Sequence, residues 1–498
     1  MHLLRLGATI GGLALVSAEP GNPFKHLGSD LLHAVEKKFN TSSLDACTEL
    51  LKLKKESSKS DVVFLPFTTD NAHYLLSSSH ASACVYTPHT AQDLAGAIKI
   101  IAKHRTPFAV ECSGHASNPG FSSTAGIHIS MHGFQDVTVS GDNSYVDIGG
   151  GISWADVFEK LDSSTVNVLG GRVPGPGIGG FLTGGGGYSW LTNQYGLTGD
   201  TLISASIVLP DGTITEASET SSSDLFWAIK GGGNQFGVIY NFRLKAFPRP
   251  PQIYGGLKFF AGPPSQEVLD AIADFSNNVK DPKASIIPTV NWVLGVPFTT
   301  VLAYYDGIPE GDPFSMFNAT SNYKKQSFNE FIKSQSISRL AGNQRGAFNT
   351  ASLQKITPNV LAQVKNQSEF WSRKAPAHAG TFLSIDVEPF EPYSQYAKDA
   401  AWRHEKNELP LYLFFGWQNP LEDDFWRAAL LESCEMIANA ARQEGQQIDD
   451  MLLYPNYALN EIPSERLFGA ENLARLRELK GKWDPNNVMG LTKYFSFE

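Results

Sequence analysis

Residues 170–197 read GGRVPGPGIGGFLTGGGGYSWLTNQYGL, with glycines at 170, 171, 175, 177, 179, 180, 184, 185, 186, 187 and 196. Glycine gives up more backbone entropy on ordering than any other residue. Such density therefore marks places where φ is positive or where the backbone lies too close to something for a Cβ. Flexible linkers are polar and Ser-rich, whereas this stretch holds Val173, Ile178, Phe181, Leu182, Tyr188 and Trp190, the side chains of an interior. Gly175, Gly177 and Gly180 spell G-x-G-x-x-G, but the dinucleotide fingerprint needs a helix to start inside it. Thr183 followed by four glycines disfavours a helix there. The expectation is extended backbone lying along a large flat cofactor.

On the N-terminal side the spacing predicts strand over 83–86, a helix over 91–104 capped by Thr90 and Asp93, and strand over 108–112. This is a β-α-β unit with a right-handed crossover expected. Residues 21–77 read as irregular apart from a helix near 43–53. Directly after the second strand comes Ser113-Gly114-His115-Ala116-Ser117-Asn118-Pro119-Gly120. A turn of this composition presents successive backbone N–H groups, which suits a phosphate. A histidine at its centre is ordinarily structural unless context says otherwise.

On the C-terminal side, Pro210-Asp211-Gly212 between apolar runs is a hairpin signal, and Pro248, Pro250 and Pro251 mark a boundary. Beyond it, strands over 257–260, 285–290, 299–305, 381–387 and 411–418 alternate with helices over 266–278 and 424–441. These predict one antiparallel sheet with helices on one side. The tail regains motif density at Tyr454-Pro455-Asn456-Tyr457.

At 498 residues and 42% hydrophobic, the chain is too long for one core. A net charge of −10 without a basic run argues against nucleic acid or an anionic membrane as partner. Residues 1–18 read as a signal peptide, with an apolar run too short to span a bilayer, so a soluble, secreted, monomeric protein is expected. Sequons at Asn40, Asn318 and Asn366 agree with that route. The four cysteines, Cys47, Cys84, Cys112 and Cys434, allow three full pairings, of which Cys47 with Cys84 is favoured because both lie in the N-terminal region. No spacing suggests a metal.

Taken together, FAVECSGHAS, the glycine-rich stretch, VLPDGTITEAS, FWAIKGGGNQFGVIYNFRL and the terminal YPNY and GAENLARLRELKGKWDPNNVM resemble a berberine-bridge-enzyme-like flavoprotein of the vanillyl-alcohol-oxidase, PCMH-type group. The resemblance covers about 83–247 and 452–490 in consistent order. It implies an α+β chain in which an FAD domain, 19–250 with a core from about 80, is completed by 450–498. A substrate domain of antiparallel sheet plus helices, 251–449, is inserted between the two parts. The implied chemistry is oxidation of a small molecule by hydride loss to flavin, with O₂ as the usual acceptor and H₂O₂ as its product.

Carried over position by position, His115 matches the histidine that attaches to the flavin. Ser113, Gly114, Ala116 and Ser117 match the pyrophosphate turn, and Val173, Pro174, Gly175, Gly177, Gly179, Gly180, Gly184, Gly187, Tyr188, Val238 and Asn456 match other cofactor contacts. Many relatives carry a second link through a cysteine where this chain has Val173, so a single covalent bond is implied. Tyr454 and Tyr457 match catalytic positions. Trp417 and Gln418, on the strand over 412–418, are pocket candidates beside the plainer reading of core and surface. The substrate implied is an alcohol or an activated C–H compound of specialised metabolism or an aromatic or allylic alcohol. Alternatives are a carbohydrate oxidase, a dehydrogenase with another acceptor, and a flavin-bound protein without catalysis.

Overall fold

The computed structural model describes residues 39–56, 60–64, 73–317, 323–335 and 341–498. The signal-peptide reading and Asn318 fall outside them. Asn40 and Asn366 are exposed, the latter within the helix Pro358–Lys374.

Strands β1 (Asp61–Phe64), β2 (Cys84–Thr87), β3 (Phe108–Glu111) and β4 (Ile127–Ser130) form a sheet of order β1-β2-β4-β3, with β4 parallel to both neighbours. The crossover helix Ala91–His104 starts on a capping box in which Thr90 and Asp93 satisfy each other's backbone N–H groups, and it buries Leu94, Ala97, Ile98 and Ile101. A disulfide joins Cys47, on the helix Thr41–Glu56, to Cys84 on β2, with Cα atoms 6.0 Å apart. β1 corrects the irregular reading of that region: Val62 and Val63 pair with Tyr86 and Val85 at the sheet edge.

A second sheet holds β5 (Val137–Val139), β6 (Tyr145–Gly149), β8 (Leu202–Val208), β9 (Ile214–Ser218) and β10 (Val238–Lys245) in the antiparallel order β5-β6-β10-β8-β9. Short β7 (Val166–Asn167) pairs with β11 (Phe247–Pro248). The glycine-rich stretch runs between β7 and β8, and it corrects the expectation of extended backbone throughout. A short helix, Ile178–Thr183, begins inside it. Ile178 and Leu182, four apart, are both buried, so packing outweighs the low helix propensity of the intervening glycines. The helix stops where Gly185, Gly186 and Gly187 take φ of 112°, 87° and 84°, a region that side chains with a Cβ avoid.

The third sheet contains β12 (Ile253–Ala261), β13 (Ala284–Val293), β14 (Val296–Tyr305), β15 (Lys324–Gln326), β16 (Arg345–Leu353), β17 (Gly380–Val387) and β18 (Leu409–Trp417), ordered β15-β12-β14-β13-β17-β18-β16 and antiparallel throughout. Side chains alternate across a strand. One face buries Ile286, Val301, Leu383, Ile385, Leu413 and Phe415 against the helices Gln266–Asn278, Pro358–Lys374 and Asp423–Gln443. The opposite face carries Thr289, Asn291, Thr300, Ser384, Asp386, Tyr412 and Phe414, and it walls a cavity.

Candidate active site

The cavity, about 420 Å³, is bounded on one side by the turn after β3, the glycine-rich stretch and β10, and on the other by that sheet face, with the tail residues Tyr454, Asn456 and Tyr457 between. Ser113, Gly114, His115, Ala116 and Ser117 all line it, as do Val173, Gly177, Gly179, Gly180, Tyr188 and Val238. Pro174, Gly175, Gly184 and Gly187 lie just outside this lining. The three glycines pack against residues that do line it. A Cβ on Gly175 would stand 2.7 Å from His115 Nε2, one on Gly184 1.9 Å from Asn456 Oδ1, and one on Gly187 2.0 Å from the Phe181 ring. The Pro174 carbonyl accepts from Ala155 N at 3.3 Å.

The turn and the stretch are fitted to each other. Gly114 adopts φ 61°, its carbonyl accepts from Tyr74 N at 2.9 Å, and a Cβ on Gly177 would collide with Cys112 Sγ at 2.4 Å. Gly180 differs: nothing lies within 4 Å of where its Cβ would be, and it faces the cavity. A Cβ there would occupy ligand space. The His115 ring lies parallel to Tyr74, centroids 4.0 Å apart, and burial lowers its pKa to about 4. It is therefore neutral at pH 7 and keeps a ring-nitrogen lone pair. A phosphate-type turn, space opposite Gly180 and a neutral imidazole in the wall fit a flavin dinucleotide. Cys112 also lines the cavity, but burial lifts its thiol to about 12, which leaves it inert.

The polar centre lies where the tail meets the third sheet. Arg172 Nη2 donates to Glu388 Oε2 at 2.6 Å and to the Tyr457 hydroxyl oxygen at 3.0 Å, while Tyr457 donates to Glu388 Oε1 at 3.1 Å. Burial raises the Glu388 pKa against the pull of Arg172. Burial also opposes charge on Arg172, yet the neighbouring Glu388 outweighs it and keeps the guanidinium protonated. Burial and the Glu388 charge hold the Tyr457 phenol well above its ordinary value. Tyr454 is placed differently. Its hydroxyl accepts from Asn456 Nδ2 at 2.9 Å, and the same amide reaches the Phe181 carbonyl at 2.9 Å, tying the tail to the glycine-rich stretch.

Period-two alternation corrects the pocket candidates. Trp417 lies on the helix-facing side of β18, buried against Trp426 and donating to Asp423 Oδ1 at 2.6 Å, and Gln418 is exposed. The cavity side of β18 belongs to Tyr412 and Phe414. Sequence reasoning missed Arg172, Asp386 and Glu388. A signal was present in Ser384-Ile385-Asp386-Val387-Glu388, where polar and apolar residues alternate so that three polar side chains share one face. Burial lifts Asp386 to about 7, with Glu388 adding to the rise and the Ser384 hydroxyl, 2.7 Å away, opposing it.

Comparison with known proteins agrees with this geometry. Residues 82–218 match the FAD binding domain family and 453–492 the berberine and berberine-like family. The FAD-dependent monooxygenase drtC of Aspergillus calidoustus is 27% identical over 97% of this chain and 94% of its own length. An uncharacterized FAD-linked oxidoreductase of Arthroderma benhamiae is 34% identical over 50% of this chain and 51% of its own. Among solved structures, Physcomitrella patens BBE-like 1 superposes with a TM-score of 0.73 at 16% identity, covering 90% of this chain and 99% of its own. Glucooligosaccharide oxidase from Acremonium strictum, described with a 6-S-cysteinyl, 8α-N1-histidyl FAD, does so with a TM-score of 0.73 at 18% identity, covering 88% and 97%.

Fold and site define an FAD-linked oxidoreductase. Within that class, residues 453–492 match the berberine and berberine-like family, and the chain shares its fold with solved berberine-bridge-enzyme structures.

Proposed function

We propose that the protein is a secreted oxidase that takes a hydride from an alcohol or an activated C–H bond. FAD would be held covalently through His115 alone and reoxidised by O₂ to H₂O₂. FAD bound here supplies a two-electron acceptor. The carrying observation is the Arg172, Tyr457, Glu388 triangle facing the cavity that the His115 turn also lines.

The Tyr457 oxygen accepts one hydrogen bond, from Arg172, and keeps a second lone pair for a substrate hydroxyl. As the substrate C–H hydrogen departs with its electron pair, the hydroxyl proton passes to Tyr457 and the phenolic proton passes to Glu388 Oε1, leaving a carbonyl product. Arg172 offsets the negative charge that develops on the phenol oxygen. A phenol with a raised pKa is a weak base on its own, and its hydrogen bond to a carboxylate with a raised pKa is what suits it to the task.

The FAD domain would comprise 19–250 with 450–498, and 251–449 would hold the substrate. The Asn456 contact with Phe181 supports the return of the tail. Val173 in the cavity wall supports a single covalent link, since valine forms no thioether. The Cys47–Cys84 disulfide supports an oxidising compartment, and among the described residues no helix is long and apolar enough to cross a membrane. Aerobic turnover of a panel of aromatic alcohols, allylic alcohols and oligosaccharides, with peroxide measured against product, tests the reading. One peroxide per carbonyl identifies an oxidase. Product without peroxide identifies oxygen transfer or another acceptor.

A further inference from the structure

The cavity face of the third sheet divides into two halves that its register fixes. Thr300 pairs with Thr289, Thr289 with Asp386 and Asp386 with Tyr412 across β14, β13, β17 and β18. In the neighbouring row, Asn291 pairs with Ser384, Ser384 with Phe414 and Phe414 with Phe348. On β14, β13 and β17 these polar side chains stand beside the lining residues Leu302, Ile287 and Phe382, and Phe382 packs with Phe414 of β18 and Phe348 of β16 into the aromatic half of the wall. Asp386 stands at the seam and is partly open to the cavity, whereas Ser384 and Glu388 are buried.

Asp386 has no part in the Arg172, Tyr457, Glu388 triangle. Its Oδ1 accepts from Ser384 Oγ at 2.7 Å, the Thr289 hydroxyl is a second hydrogen-bond partner, and Glu388 and Arg172 act on it through charge alone, with no ion pair to the carboxyl among the described residues. Tyr412 stands between Asp386 and Tyr457: it pairs with Asp386 across β17 and β18, and its ring centroid lies 4.7 Å from that of Tyr457, so about one ring width separates the two. Arg172 already supplies a cation to this cavity, which disfavours an ammonium group beside Asp386.

We propose that Asp386 is a specificity-determining residue that accepts a hydrogen bond from a second hydroxyl on the substrate, about one ring width from the group that reacts at Tyr457. The ring between the two hydroxyls rests on the aromatic half, Tyr412, Phe414 and Phe348. The substrate class is then a hydroxylated aromatic alcohol rather than a saccharide. The location of the reacting group rests on the function proposed above, but recognition by Asp386 does not need turnover.

Anaerobic calorimetric titration of the purified flavoprotein, reduced beforehand so that no turnover occurs, with 4-hydroxybenzyl alcohol, its 4-methoxy ether and cellobiose reads binding without reference to peroxide. The wild type binds the phenol at least tenfold more tightly than the ether, and binds cellobiose more weakly than either. Asp386→Ala reduces the preference for the phenol to below threefold, whereas Asp386→Asn, which keeps an acceptor oxygen, retains part of it. Melting curves of both variants show whether the fold is intact. A wild type that binds neither aromatic probe, binds both alike or prefers cellobiose overturns the proposal, as does a folded Asp386→Ala protein that still prefers the phenol. A failure of the flavin reading shows separately, as protein without peroxide formation or bound flavin.

Discussion

Tyr457 gives its hydroxyl hydrogen to Glu388 at 3.1 Å while accepting one from Arg172 at 3.0 Å, so a single phenol joins a buried acid to a buried cation at the cavity wall. Tyr454, three residues earlier, spends its hydroxyl on Asn456. The two tail tyrosines, equivalent in sequence, are thereby separated into a proton-handling residue and a packing residue.

Replacing Tyr457 with Phe is expected to slow anaerobic flavin reduction by about 10²- to 10³-fold with little change in substrate binding. Tyr454→Phe should cost far less. Stopped-flow bleaching measures both, and equal effects would remove the distinction.

Arg172→Met leaves Glu388 buried without its cation. Breaking a buried ion pair from one side costs about 3–5 kcal/mol, so the melting temperature should fall clearly, and Arg172→Lys should recover part of it. An unchanged melting curve would mean that the pair is not buried as described.

Much of this arrangement was legible in the sequence because it rests on local signals. Thr90 and Asp93 announced the helix Ala91–His104, and Pro210-Asp211-Gly212 announced the hairpin of β8 and β9. β16 went unread because RGAFNTASL is buried on both faces and lacks a period-two contrast. The helix Pro358–Lys374 went unread although Thr357-Pro358 is a start signal. Arg172 and Glu388 were hidden for another reason. They are 216 residues apart, and only the folded chain shows that each neutralises the other.

Asp386 ties stability to pH. Its folded-state pKa of about 7 stands above its ordinary 3.8, so between those values the folded protein holds a proton that the unfolded chain has released. Stability therefore falls as pH rises through that window, by up to about 1.4 kcal/mol per pH unit. Asp386→Asn should melt higher than the wild type at pH 8 and nearly with it at pH 4. Parallel melting curves across that range would contradict the assignment.

The Cys47–Cys84 bridge closes a 37-residue separation, for which loop-closure entropy gives about 4 kcal/mol. Cys47→Ser with Cys84→Ser should lower the melting temperature without altering the flavin spectrum, because neither residue lines the cavity. A changed spectrum would show that the bridge itself helps to hold the His115 turn in place.

The central claim is that His115 carries the flavin. The direct measurement is acid precipitation of the wild type and of His115→Ala, reading flavin absorbance and fluorescence in pellet and supernatant. The wild type should keep its yellow colour in the pellet, and the variant should release it to the supernatant. Wild-type flavin in the supernatant, or variant flavin that stays with the pellet, would contradict the account.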